Sequence, residues 1–189
     1  MKVFFNAPQL GKKEYLEHYQ KIKQAIEASG AKLVACPVLD KSIDEVIKEG
    51  SAEALDYYNN LQKWIKEAEI CVFEVSYPST NAGHEIALAL FSNKPVVALH
   101  IVDTPGNLVL NSIQDDRLQV LDYSMDDIAS TVEDALDYAS ENMDTRFNFF
   151  ISPSIGNYLD WISKVKKVPR AVFLRQLIEE DMKIEGYES

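Results

Sequence analysis

Glu85 is the residue of this chain whose type and setting most readily supply covalent chemistry. It stands in the run Cys71-Val72-Phe73-Glu74-Val75-Ser76-Tyr77-Pro78-Ser79-Thr80-Asn81-Ala82-Gly83-His84-Glu85-Ile86-Ala87. The run reads as a buried strand, a Ser/Asn/Gly loop and the first turn of a helix. Loops at the carboxyl ends of strands in an open α/β sheet are where such proteins place their chemistry. A helix N-terminus adds free N–H groups and a partial positive charge. A carboxylate there has two readings. It can complement the helix dipole and do no more. Alternatively, it can attack a sugar C1′ through an oxocarbenium-like transition state and form a glycosyl-enzyme. Ser79, Asn81 and Gly83 divide the same way, as loop and N-cap residues or as ligands of ribose and phosphate oxygens. His84 is adjacent in sequence to Glu85 and therefore points elsewhere on the helix. His100 and Asp103 follow strand 4 on the same edge, as pocket lining or as ordinary loop residues.

The elements that must position these residues follow from hydrophobic period. Residues 2–6 form a first strand, ending in the Ala7-Pro8-Gln9-Leu10-Gly11 loop. Tyr15, Leu16, Tyr19, Ile22 and Ile26 recur at helical spacing, and Gly30 stops that helix. A second strand is expected over 31–38, an ambiguous polar stretch over 40–50, and a helix over 52–68 with Leu55, Leu61, Trp64 and Ile65 inside. Strand 70–75, helix 81–92, strand 95–100, strand 118–121 and helix 126–138 complete the pattern. Apolar strands alternating with helices predict a parallel sheet covered on both faces. The fold class is α/β: a flavodoxin-like or Rossmann-like five-stranded parallel sheet in the order 2-1-3-4-5, plus a small C-terminal β-α-α module. The switch point between strands 1 and 3 brings Asn6, Gln9 and Gly11 beside the 76–83 loop. Gly11 alone makes no GxGxxG fingerprint, which disfavours a nicotinamide cofactor.

The composition narrows the function classes. The 189 residues suffice for one domain and a small appendage, and no apolar run approaches a membrane span. The first six residues turn polar too soon for a signal segment. Cys36 and Cys71 lie inside apolar runs and are expected as buried thiols in a reducing cytoplasm. The three scattered histidines predict no metal site. Net charge is −11 but uneven. Residues 145–189 hold seven Lys/Arg and six Asp/Glu, a net of +1, leaving −12 on 1–144. Such an acidic body excludes non-specific nucleic-acid binding.

The stretch EVSYPSTNAGHEIALAL followed by NKPVVAL resembles the signature of the nucleoside 2-deoxyribosyltransferase family. It is most similar to the 2′-deoxynucleoside 5′-phosphate N-hydrolase branch, with its pattern E-V-x-x-P-S-x-G-x-G-Y-E-L-G and then N-K. The match runs without gaps over 64–94, and Arg117-Leu118-Gln119-Val120-Leu121-Asp122-Tyr123 resembles that branch's R-F-Q-V-W-D-Y. The resemblance covers residues 2–140. It implies a flavodoxin-like homodimer or higher oligomer that cleaves or exchanges the N-glycosidic bond of nucleosides or their 5′-monophosphates, without metal or cofactor. It also implies Glu85 as nucleophile and Ser79 as phosphate ligand. Asn6 and Gln9, beside the 76–83 loop, are expected to line the base side. The first-strand motif Y-F-C-G-S-I-R-G-G departs here. Its supporting tyrosine becomes Phe4, and its phosphate-binding Ser and Arg become Pro8 and Leu10. An Asp three residues before the tryptophan becomes Leu61, and Lys12 or Lys13 is the candidate replacement for the lost arginine.

Residues 145–183 fall outside that resemblance. Arg146-Phe147-Asn148-Phe149-Phe150-Ile151 alternates like a strand, with Phe147, Phe149 and Ile151 on one face. Two helices follow across Val168-Pro169-Arg170. The first is expected to bury Ile155, Tyr158, Leu159, Ile162 and Val165, the second Phe173, Leu174, Leu177, Ile178 and Met182. The pattern resembles the ribbon-helix-helix module. That resemblance implies dimerisation and a DNA-reading strand, with Arg146 and Asn148 facing bases and Arg170 near a phosphate. Two modules are therefore expected, 1–144 and 145–189. Two functions stay open: a cytoplasmic N-glycosidase or deoxyribosyltransferase-like enzyme, or a nucleotide-sensing DNA-binding regulator whose pocket has lost catalysis.

Overall fold

The structure, a computed structural model, describes residues 1–104, 108–141, 151–166 and 170–187. The first five strands of the chain, β1 (Lys2–Asn6), β2 (Lys32–Ala35), β3 (Ile70–Glu74), β4 (Val96–Ile101) and β5 (Leu118–Tyr123), form one parallel sheet in the order β2-β1-β3-β4-β5. This is the expected doubly wound α/β topology. The two central strands explain it. All five residues of β3 are buried, and so are the last four of β1. Strands with no solvent-facing side need helices on both faces.

Side-chain alternation along the central strands assigns the two faces. Val3, Phe5, Ile70 and Val72 pack with Tyr19, Ile22, Val132 and Leu136, from α1 (Lys12–Ala28) and α7 (Ile128–Glu141). Phe4, Cys71 and Phe73 pack on the other face with Leu61, Ile65, Ile86 and Ala89. Those partners come from α4 (Ser51–Glu67) and α5 (Thr80–Phe91). Burying each such side chain contributes about 1.5–3 kcal/mol. Cys36 and Cys71 are both buried free thiols, as expected, and burial pushes both thiol pKa values up to about 12.

Three details differ from the sequence reading. The second strand stops at Ala35, because Pro37 opens the short helix α2 (Pro37–Asp40). The stretch over 40–50 contains α3 (Ile43–Ile47), started by a reciprocal capping box between Ser42 and Glu45. Leu55 is 60 % exposed rather than inside α4; the inward stripe of that helix runs through Tyr57, Leu61, Trp64 and Ile65. After β4 comes the one-turn helix α6 (Leu108–Asn111).

The chain divides into compact units Met1–Thr145 and Arg146–Ser189. In the second, α8 (Pro153–Lys166) and α9 (Arg170–Glu185) bury Leu159, Ile162 and Phe173, with Leu174 partly covered. The Lys166 ammonium lies 4.9 Å from the Phe173 ring centroid. Ile155, Tyr158, Val165, Leu177, Ile178 and Met182, all expected inside, are exposed instead. A single helix pair has only one mutual seam, which cannot cover two full apolar stripes. Ile151 is exposed and outside any strand; the rest of the expected strand lies outside the described residues.

Candidate active site

Three side chains from three elements meet at the carboxyl edge of the sheet. Asn6 closes β1 on the face that holds Phe4. Tyr57 comes from the inward stripe of α4, and Glu85 from the second turn of α5. Asn6 Nδ2 donates to Glu85 Oε2 at 2.7 Å and lies 2.9 Å from the Tyr57 hydroxyl. That hydroxyl donates to Glu85 Oε1 at 2.7 Å. Both carboxylate oxygens are therefore held, and the rotamer of Glu85 is fixed.

Glu85 is only 4 % exposed, and burial raises its pKa above the usual carboxylate range. The hydrogen bonds from Asn6 and Tyr57 act in the opposite direction. A hydrogen bond to a charged group is worth about 1.5–3 kcal/mol, so the pair keeps an ionised Glu85 accessible in a dry setting. Burial, and then the nearby Glu85 charge, push the Tyr57 hydroxyl up, so it stays a donor at neutral pH.

Glu85 lies in the wall of a cavity of about 880 Å³. Asn6, Gln9, Ser79 and Asn81 share that wall. Ser79 is the N-cap of α5, and its Oγ accepts from Ala82 N at 3.3 Å. Gln9 donates to Pro37 O at 2.9 Å. The amide oxygens Asn6 Oδ1 and Gln9 Oε1 are buried without a partner. Gly11 and Gly83 are not in that wall. Gly11 is a packing glycine: a Cβ there would sit 2.2 Å from the Tyr19 hydroxyl and 2.8 Å from Tyr77 Cβ. Gly83 lies in the first turn of α5, with nothing within 4 Å of an added Cβ. His84 is exposed and stacks on Tyr58, and His100 and Asp103 are away from the cavity.

Tyr57 escaped the sequence reading, although its signal was present. It stands four residues before Leu61 and seven before Trp64, on one helical stripe. Phe4, where the resemblance has a supporting tyrosine, packs at 6.0 Å on Trp64 and 5.9 Å on Phe73. Leu61, where it has an aspartate, is core. The hydroxyl reaching the carboxylate thus comes from α4 instead of β1.

A second carboxylate, Glu74, is 0 % exposed on the opposite sheet face. Its Oε1 accepts from the Ser76 N–H at 3.1 Å, from the Ser76 hydroxyl and from the Tyr123 hydroxyl at 3.3 Å. Burial pushes its pKa up to about 7. Ser76 Oγ in turn accepts from Ile101 N at 2.8 Å, which fixes the start of the loop leading to Ser79.

Among the described residues, no group of three His, Cys, Asp or Glu is placed to hold a metal, and no helix is long and apolar enough to cross a membrane. Arg146 and Asn148 lie outside the described residues, and Arg170 forms an ion pair with Asp160.

No protein-family model matches the chain. Two curated relatives, from Thermofilum pendens and Syntrophotalea carbinolica, are both provisionally named 2′-deoxynucleoside 5′-phosphate N-hydrolase 1. The first is 35 % identical over 99 residues, covering 52 % of this chain and 67 % of the relative. The second is 33 % identical over 129 residues, covering 64 % of this chain and 89 % of the relative. Among solved structures, a 2-deoxyribosyltransferase from Bacillus psychrosaccharolyticus superposes with a TM-score of 0.49 at 17 % identity. It covers 70 % of this chain and 96 % of that one, a likeness too distant to bear on chemistry. The sequence identity to the two relatives, spread over most of the length of the second, carries the assignment: the chain belongs to the 2′-deoxynucleoside 5′-phosphate N-hydrolase 1 family.

Proposed function

We propose that the protein cleaves the N-glycosidic bond of a nucleoside or nucleotide through covalent catalysis by Glu85. The observation that carries this reading is the grip on that carboxylate: buried, hydrogen-bonded at both oxygens and set in the wall of the cavity. The relatives' names supply the bond class.

In the first step a Glu85 oxygen attacks C1′ while the C1′–N bond breaks. Its electron pair leaves on the base, which takes a proton from water, and a glycosyl ester remains on Glu85. In the second step water attacks C1′, the C1′–O bond to Glu85 breaks to free the carboxylate, and the water's second proton passes to solvent; a second base in place of water gives transfer. Asn6 and Tyr57 act by orienting the carboxylate, and they stabilise its charge before attack. Ser79 and Asn81, at the start of α5, hold sugar or phosphate oxygens, and Asn6 and Gln9 stand toward the base.

The test is release of free base, resolved by chromatography, from ribo- and deoxynucleosides and their 5′-monophosphates. Release by the wild type that is lost in Glu85→Ala is expected. Release that survives in Glu85→Ala overturns the assignment of the nucleophile, and no release from any substrate overturns the activity.

A further inference from the structure

The helix α9 (Arg170–Glu185) carries two features that its own unit does not use: an open apolar row, and a charge order that opposes the helix dipole. From them we infer that α9 is an interaction surface for a second copy of this chain. The two α9 helices pair antiparallel across a two-fold axis at Ile178.

The apolar row lies beside the seam with α8. Phe173 fills that seam and is only 3 % exposed. Leu174, Ile178 and Met182 follow four residues apart and therefore form one row along the helix. Leu174 is partly covered, whereas Ile178 is 60 % exposed and Met182 36 % exposed. The row is symmetric about Ile178. In an isologous pair each contact is made twice, so an antiparallel copy sets Leu174 of one chain against Met182 of the other, and Ile178 against itself.

The charge order selects the occupant and its direction. Residues 170–177 hold two Arg and no acid, a net of +2. Residues 178–185 hold Glu179, Glu180, Asp181 and Glu185 against Lys183, a net of −3. Anions stabilise a helix at its N-terminus and cations at its C-terminus, so this order works against an isolated α9. An antiparallel copy lays the basic half of each helix along the acidic half of the other and offsets both. A parallel copy sets acid against acid. Residues 1–144 carry −12 and offer the acidic half no net counter-charge, and the same half repels nucleic acid. The 16 residues of α9 span about 24 Å, so this seam falls at the small end of interface sizes, below about 1,200 Å² in total. Association through it is therefore expected to rise with protein concentration and to weaken with salt.

The experiment uses the full chain with single introduced cysteines, a short bis-maleimide and a denaturing gel. Cys36 and Cys71 are buried, so the introduced thiol is the one that reacts. Ile178→Cys is expected to link to its own kind. Arg170→Cys and Glu185→Cys are expected to link to each other when the two proteins are mixed, and each to its own kind far less. Added salt, or Glu180→Lys with Asp181→Lys in the Ile178→Cys chain, is expected to lower the yield of linked dimer several-fold. Glu185→Cys linking efficiently to its own kind means a parallel pair and overturns the inference. An Ile178→Cys thiol that resists maleimide is covered within its own chain, and one that reacts without giving a dimer has no second copy against it. Either result overturns the inference, as does a yield indifferent to both salt and the charge reversal.

Discussion

Glu85 and Glu74 are the same residue type, both buried at the same edge of the same sheet, yet their surroundings differ. Glu85 stands on the α4/α5 face in the wall of a large cavity, with both oxygens bonded by side chains that can only donate to it. Glu74 points to the α1/α7 face, where Tyr19 and Tyr123 enclose it, and its Oε2 has no partner. Burial raises both pKa values. Desolvation alone therefore does not distinguish the two carboxylates. What separates the two is access to a ligand and the reach of fixed donors to both oxygens.

The strongest way to break this contrast is to remove each carboxylate in turn. Glu85→Ala is expected to lower kcat by at least about a thousandfold, on the order of 4 kcal/mol of transition-state stabilisation. Circular dichroism should show the fold unchanged, since the cavity offers room for water. Glu74→Gln should retain most of the activity. A Glu74 variant that loses activity as completely as Glu85→Ala would reverse the two assignments.

The next effect concerns stability against pH. With a folded pKa of about 7 against an ordinary value near 4.5, Glu74 holds its proton in the folded protein across a window where the unfolded chain has lost it. The folded state binds more protons there, so stability falls as pH rises from about 4.5 to 7 and levels off above. The full shift corresponds to about 3 kcal/mol. Glu74→Gln removes this dependence. Denaturant unfolding at pH 5 and pH 8 should show the variant gaining on the wild type at the higher pH. Equal pH slopes for the two proteins would mean that Glu74 is ionised throughout.

Much of this arrangement was legible in the sequence. The strand order followed from alternating apolar strands and helices, because a sheet buried on both faces leaves little choice of topology. Glu85, Ser79 and Asn81 were placed by the strand–loop–helix pattern, and the cavity wall includes all three. Tyr57 was not found, because aromatic residues on an amphipathic stripe usually serve the core, and only the tertiary fold puts its hydroxyl beside Glu85. Glu74 was passed over within an apolar strand, where one carboxylate hardly changes the hydrophobic pattern. The apolar stripes of α8 and α9 promised more burial than one helix pair delivers, since periodicity marks an apolar face without naming what covers it.

Tyr57→Phe sharpens the account of Glu85. Losing one hydrogen bond to the carboxylate should reduce kcat/KM by about ten- to a hundredfold, in line with 1.5–3 kcal/mol for a bond to a charged group. The pH profile separates orientation from charge. The attacking form is ionised, so activity rises with pH through the raised pKa of Glu85. The Tyr57 bond lowers that pKa, so its removal moves the acid limb of kcat/KM to higher pH. A drop in rate with an unmoved acid limb would make Tyr57 a purely steric support.

The smallest expected effect lies where the two regions touch. Gly11 packs against the Tyr19 hydroxyl, which also approaches Pro8 O at 3.3 Å, and against Tyr77 in the loop before Ser79. A methyl group at this position cannot fit without displacing one of the two. Gly11→Ala is expected to cost about 1–3 kcal/mol in unfolding free energy, the range for overpacking a close contact. Which neighbour yields can be read from activity. If the Tyr19 ring moves, the environment of Glu74 changes and KM does not. If the Tyr77 loop moves, Ser79 and the mouth of the cavity shift with it, and KM rises at nearly constant kcat. The second outcome is expected, because Tyr19 is fully buried among core side chains, whereas Tyr77 is partly open to solvent.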